Sequence, residues 1–216
     1  HAYLAGDFEK VAEIFPDAAR IMQATGRGRE LIRWSVFAGD NSELGLLKRG
    51  TVELAGWLAL QEYDTVASMM DQMNFDAKGT VLEGFIKQLT YGSKAHIDLA
   101  LGRFDEFDKS FEIAMSSTQG PLTLGIEEQI GILRLAAMKS FILDQTEEVE
   151  SIYEQAKALA NKSKLPNNHL LLSSMNAMVL FQIGDYRRAF EAASITYSQF
   201  TKRGYVGIFG PLDSMF

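Results

Sequence analysis

The chain has 216 residues, 47% hydrophobic and 23% charged, enough to bury a sizeable core in one large domain or two small ones. It has no cysteine, which excludes disulfides and thiolate metal sites, and its three histidines are too scattered for a zinc centre. A formal net charge of −7 repels the phosphate backbone of nucleic acids, and no uncharged apolar run approaches the roughly 20 residues of a membrane-spanning helix. These bounds predict a cytoplasmic protein that uses neither metal nor cofactor and touches neither nucleic acid nor membrane.

The chain opens in mid-pattern and without methionine, which reads as a piece of a longer protein. A turn is expected at Gly6, preceded only by Ala2 to Ala5. The helix after it carries Pro16, which removes a hydrogen bond and predicts a kink or break near Phe15. Residues 26–42 read as an irregular inserted segment. Its Arg27, Arg29, Arg33 and Trp34, with Lys48 and Arg49 beyond, are expected to face water as a solvated linker or a short extra helix, the other reading being an anion or nucleotide contact made by an inserted loop. Gly26-Arg27-Gly28 is not a phosphate loop, because Gly-x4-Gly-Lys-Ser/Thr occurs nowhere in the chain.

From there the chain repeats. Gly6, Gln61, Gly102, Asp144 and Gly184 fall in register as turns, at spacings of 55, 41, 42 and 40. Two places after each turn stand Phe8, Tyr63, Phe104, Thr146 and Tyr186. Five, nine and twelve places after it come Val11/Phe15/Ala18, Val66/Met70/Met73, Phe107/Phe111/Ala114, Val149/Tyr153/Ala156 and Ala189/Ala193/Thr196. Seven places before it, Ala95, Ala137 and Ala177 are small. Steps of four and three make one stripe on a helix, and small residues let the preceding helix approach. Each copy therefore predicts an αα-hairpin, with the aromatic two places after the turn wedged into the crossing. Pro121 and Pro166, within "TQGPL" and "LPNNH", are expected in the gaps between hairpins. Residues 203–216 are expected to form a tail or cap. The predicted fold is all-α: one domain over 1–216, a right-handed superhelical solenoid of four to five hairpins with a period near 40 residues.

The Gly-x-aromatic turn with small residues at fixed offsets resembles the tetratricopeptide repeat. It departs from that family in its longer period, in Gln61 and Asp144 at the turn glycine, and in Thr146 at the aromatic. In repeat length the chain also resembles the sensor region of large ATP-binding LuxR-type transcription regulators, of the maltotriose-responsive activator type. The first resemblance implies a concave groove lined by the first helix of each hairpin, at places ten, six and three before the turn. Those places hold Arg134; His96, Met138 and Met178; and Leu58, Leu99, Phe141 and Phe181. His96, Arg134, Met138, Phe141, Met178 and Phe181 are thus the candidate ligand-binding residues. Met and Phe at helical spacing suit a core as well as a groove floor. As a groove-lining group, Arg134 is expected to matter for binding and not for the melting transition.

No catalytic arrangement emerges. His96 and Asp98 lie on different faces of a helix, and "DEFD" and "TEEVE" are first-turn carboxylates that favour the helix dipole. The expected function is a non-enzymatic recognition or sensor module of a larger bacterial regulator. It would bind a protein, peptide or small-molecule effector and pack against other domains of the parent chain. The alternative is a structural protein–protein adaptor without an effector.

Overall fold

The structure is a computed structural model that describes residues 10, 22, 27–39, 42–80, 83–116, 126–162 and 166–202. The turn at Gly6, the proline at 16, the gap at Pro121 and the tail over 203–216 lie outside those residues. The described chain is all-α: α1 (Gly28–Trp34), a 3-10 turn (Ser35–Phe37), α2 (Glu43–Ala59), α3 (Tyr63–Ala77), α4 (Glu83–Ala100), α5 (Phe104–Ser116), α6 (Ile126–Ile142), α7 (Thr146–Ala160), α8 (Pro166–Gln182) and α9 (Tyr186–Lys202). No strand occurs among the described residues. The contacts gather into two compact units, one of residues up to 75 together with those from 200, and one of residues 76–199.

In the first unit, part of the segment expected to be irregular is helical. Arg27, Arg29 and Arg33 do face water, but α1 between them packs tightly on α2. A Cβ added to Gly28 would stand 2.4 Å from the Gly56 carbonyl oxygen, and one on Gly56 would stand 2.9 Å from that of Gly28. The two backbones touch, and glycine at both places allows it. Ser35 donates a 2.7 Å hydrogen bond to the Glu53 carboxylate, and Arg49 donates to the Gly39 carbonyl at 2.8 Å, tying the intervening loop to α2.

The turns repeat atom for atom. Gln61, Gly102, Asp144 and Gly184 all have a left-handed backbone, with φ of 60°, 69°, 56° and 83°. At each, the turn N–H donates three residues back: Gln61 to Leu58, Gly102 to Leu99, Asp144 to Phe141 and Gly184 to Phe181. The next N–H donates five back: Glu62 to Trp57, Arg103 to Asp98, Gln145 to Ser140 and Asp185 to Leu180. This pair of bonds closes the helix C-terminus and satisfies carbonyls that would otherwise lack partners. The residue after the turn then accepts from Val66, Phe107, Val149 or Ala189, which starts the next helix.

The stripe after each turn is core. Val66, Met70, Met73, Phe107, Ala114, Val149, Ala156, Ala189 and Thr196 are buried, as are Ala95 and Ala137 before the turns. The aromatic wedge is a correction. Phe104 and Tyr63 are only half-buried and Tyr186 is 63% exposed. The residue two past the turn opens the next helix, and its Cα–Cβ bond tilts back toward the helix start, away from the seam. The crossing is held by the residue five past the turn.

In the second unit α4 pairs with α5 and α6 with α7, while α4, α6 and α8 pack side by side. α6 thus lies among α4, α5, α7 and α8. Ile130 and every residue from Ile132 to Met138 are buried, so this stretch of α6 has no wet face to carry polar residues. Pro166 corrects another expectation. It stands at the first position of α8, where its missing N–H has no helical partner to lose.

Candidate functional site

Of the six expected groove residues, His96 stands by itself and the other five divide into two groups. Arg134, Met138 and Met178 are buried, Arg134 with 0% exposure. They are interior contacts between α6 and its neighbours, which corrects the expectation that Arg134 lines an open groove. Its Nε donates to the Ser174 hydroxyl of α8 at 3.0 Å, and that hydroxyl donates to the Leu171 carbonyl at 2.8 Å. The guanidinium joins α6 to α8 across 40 positions of sequence. An arginine ringed by apolar residues reads in sequence as a polar anchor; the stretch Ile132–Met138 is buried all round, and this makes Arg134 part of the core.

His96 of α4 lies within electrostatic reach of Arg134. Burial of the imidazole, and secondarily the Arg134 charge, lower its pKa from 6.5 to about 4. His96 is therefore neutral at physiological pH. Asp98 does not join it. That buried carboxylate accepts from Lys94 at 2.6 Å and from the Ser110 hydroxyl at 3.0 Å, a polar link between α4 and α5.

Phe141 and Phe181 form the other group. Their rings meet edge to face at 5.6 Å, and Phe181 meets Tyr186 in the same way at 5.2 Å. Gln182 Nε2 donates to the Phe141 carbonyl at 3.4 Å. Phe141 is half-buried and Phe181 is 50% exposed, so this aromatic chain reaches the surface beside two turns. Around it the structure exposes a column that the repeat reading passed over. One place before Gly102, Asp144 and Gly184 stand Leu101, Leu143 and Ile183, all exposed, with Ile142 beside them. The signal was present in the sequence as an apolar residue repeated next to a turn, where polar residues are the rule.

A second feature is a cleft of about 730 Å³ lined by α5, α6, and the start of α7. Its floor includes Phe107, Phe111, Leu133, Ala136 and Ile152, and its rim carries Asp108, Asp144, Glu147, Glu148 and Lys139. Among the described residues no three histidine or carboxylate side chains gather into a metal-binding group, and no helix is long and apolar enough to cross a membrane. No family model, no curated protein and no solved structure matches the chain.

Proposed function

We propose that the chain is a non-enzymatic recognition module built as a superhelical stack of tetratricopeptide-like hairpins, working within a larger cytoplasmic regulator of the LuxR type. The four identical left-handed turns and their common stripe support the repeat architecture, and stacked hairpins of this kind serve as extended binding surfaces. The observation that carries the recognition role is the apolar edge formed by Leu101, Leu143 and Ile183 with Phe141, Phe181 and Tyr186. Exposed apolar side chains in a repeated row mark a contact surface. Of the six groove candidates this reading keeps Phe141 and Phe181 as contact residues, and assigns Arg134, Met138 and Met178 to shaping the scaffold behind them. Binding on this edge biases how the module packs against the rest of its parent chain, which is how a sensor transmits an effector. The same edge supports a second reading, a protein–protein adaptor without an effector, because exposed apolar side chains in a row also suit a protein partner.

The test is site-specific photocrosslinking in the full-length protein. A photoreactive phenylalanine replaces Phe181 or, as a control, Glu150, an exposed residue of α7. The recognition reading expects a discrete adduct from position 181 and none from 150. Equal, diffuse labelling at both positions overturns it. An adduct that a small effector competes away favours the sensor, and one that persists favours the adaptor.

A further inference from the structure

The cleft between α5 and α7 has no part in the recognition edge and shares no residue with it. We propose that it is a docking site for a peptide segment that presents an arginine beside an apolar residue.

Two places past the turn the other described hairpins carry Tyr63, Phe104 and Tyr186, whereas this one carries Thr146, which lines the cleft. The volume, about 730 Å³, falls in the range that holds a short segment, and the cleft opens to solvent between the two helices.

The lining specifies the occupant. Phe107 and Phe111 stack at 5.9 Å in the floor. Lys139 already places its ammonium 5.7 Å from the centre of the Phe107 ring and binds Asp108 at 2.5 and 2.6 Å. The chain's own side chains thus show the chemistry of the place: a cation over an aromatic face, held by a carboxylate. Asp144, Glu147 and Glu148 remain on the rim, and among the described residues none of them is in an ion pair. Glu147 and Glu148 also suit the N-terminus of α7, so their charge alone would mark only a helix start. Here the charge stands over an apolar floor, in a cleft that the buried Ser140 also lines. A planar guanidinium bridges two carboxylates and stacks on an aromatic ring, which a compact ammonium does less well. Ser140 lines the cleft while only 4% exposed. Its hydroxyl makes no hydrogen bond to another described residue, and it suits the backbone of a bound peptide.

The experiment uses the full chain and three probes: an acetylated, amidated hexapeptide with one arginine between leucines, the same peptide with citrulline for arginine, and arginine amide alone. Binding is read from backbone amide shifts in uniformly labelled protein. The arginine peptide should shift residues 144–152, with citrulline weakening binding about tenfold, the loss expected for one charge-assisted hydrogen bond. Glu147→Gln with Glu148→Gln should weaken the arginine peptide to the same level. Thr146→Tyr should abolish binding with an unchanged melting temperature, because the sister hairpins accept an aromatic there. Equal affinity for the citrulline peptide overturns the proposal, since the cleft is then merely apolar. Arginine amide binding as tightly as the peptide overturns it too, because the site then belongs to a small cation. So does the absence of shifts in residues 144–152 at millimolar peptide. Failure of these probes leaves crosslinking at Phe181 unaffected, so the two readings fall separately.

Discussion

Truncating Arg134 to alanine removes the largest fully buried side chain in the described protein. Its three methylenes contribute roughly 2.4 kcal/mol at about 0.8 kcal/mol each. The hydrogen bond to Ser174 adds about 1 kcal/mol. Against this, burying a guanidinium costs several kcal/mol, and alanine relieves that cost while leaving a cavity. The packing and cavity losses are the larger, so Arg134→Ala should destabilise by roughly 3 kcal/mol, within the usual range for large-to-small core changes. In a chain of this size that lowers the melting temperature by about 6–12 °C. Arg134→Met keeps most of the volume and discards the charge, so it should cost less than about 1 kcal/mol or even stabilise. Thermal unfolding of both variants, followed by circular dichroism, reads the comparison directly. An unchanged melting temperature for Arg134→Ala refutes the burial on which the argument stands. A loss as large for methionine as for alanine refutes the ranking of packing over charge.

His96 predicts an acid-sensitive core. Its folded pKa, near 4, lies below the unfolded value of 6.5, so protonation favours the unfolded chain. Its contribution is fully present above pH 6.5 and is lost as pH falls to 4, up to roughly 3 kcal/mol. His96→Gln should flatten that window in urea melts taken between pH 4 and 7, and an unchanged slope counts against it. Phe107, 1% exposed, and Tyr186, 63% exposed, should behave oppositely. Phe107→Ala should cost about 3–5 kcal/mol and Tyr186→Ala under about 1 kcal/mol. Equal losses in parallel denaturant titrations contradict the register. Gln61→Gly and Asp144→Gly should each stabilise by about 0.5–1 kcal/mol, since both residues hold a left-handed backbone that glycine adopts without strain. A lowered melting temperature at both positions refutes the turn geometry.

The parts of this fold legible in the sequence were those fixed by local geometry. A left-handed turn constrains the residues three to five places on either side. Gln61 and Asp144 therefore betrayed themselves by their neighbours Val66 and Val149, although neither is glycine. The stripe was legible for the same reason. Contacts set by more than one neighbour were not. Arg134 looks the same in sequence whether α6 is flanked on one side or four, and only the packing of α4 and α8 against it decides. The repeat showed that an aromatic follows the turn but not where its ring points, and so Tyr186 was misplaced. The cleft was not legible: Thr146 stood out as a departure from the aromatic column, yet the space depends on where α5 and α7 come to rest. The apolar column at Leu101, Leu143 and Ile183 was fully legible and passed over, because apolar residues are so readily assigned to a core.

The side-chain links within the second unit are short in sequence. Asp98 to Ser110 spans 12 positions, Ser173 to Thr196 spans 23, Asp108 to Lys139 spans 31, and Arg134 to Ser174 and Phe141 to Gln182 span 40 and 41. None of these links requires distant parts of the chain to find each other before neighbours have met. Loop closure grows dearer only slowly with length, so these links form at nearly constant entropic cost. α6 gathers the most of them, because it touches α4, α5, α7 and α8. An opening that reaches α6 gives up four partners together, so the second unit comes apart as a whole and not helix by helix.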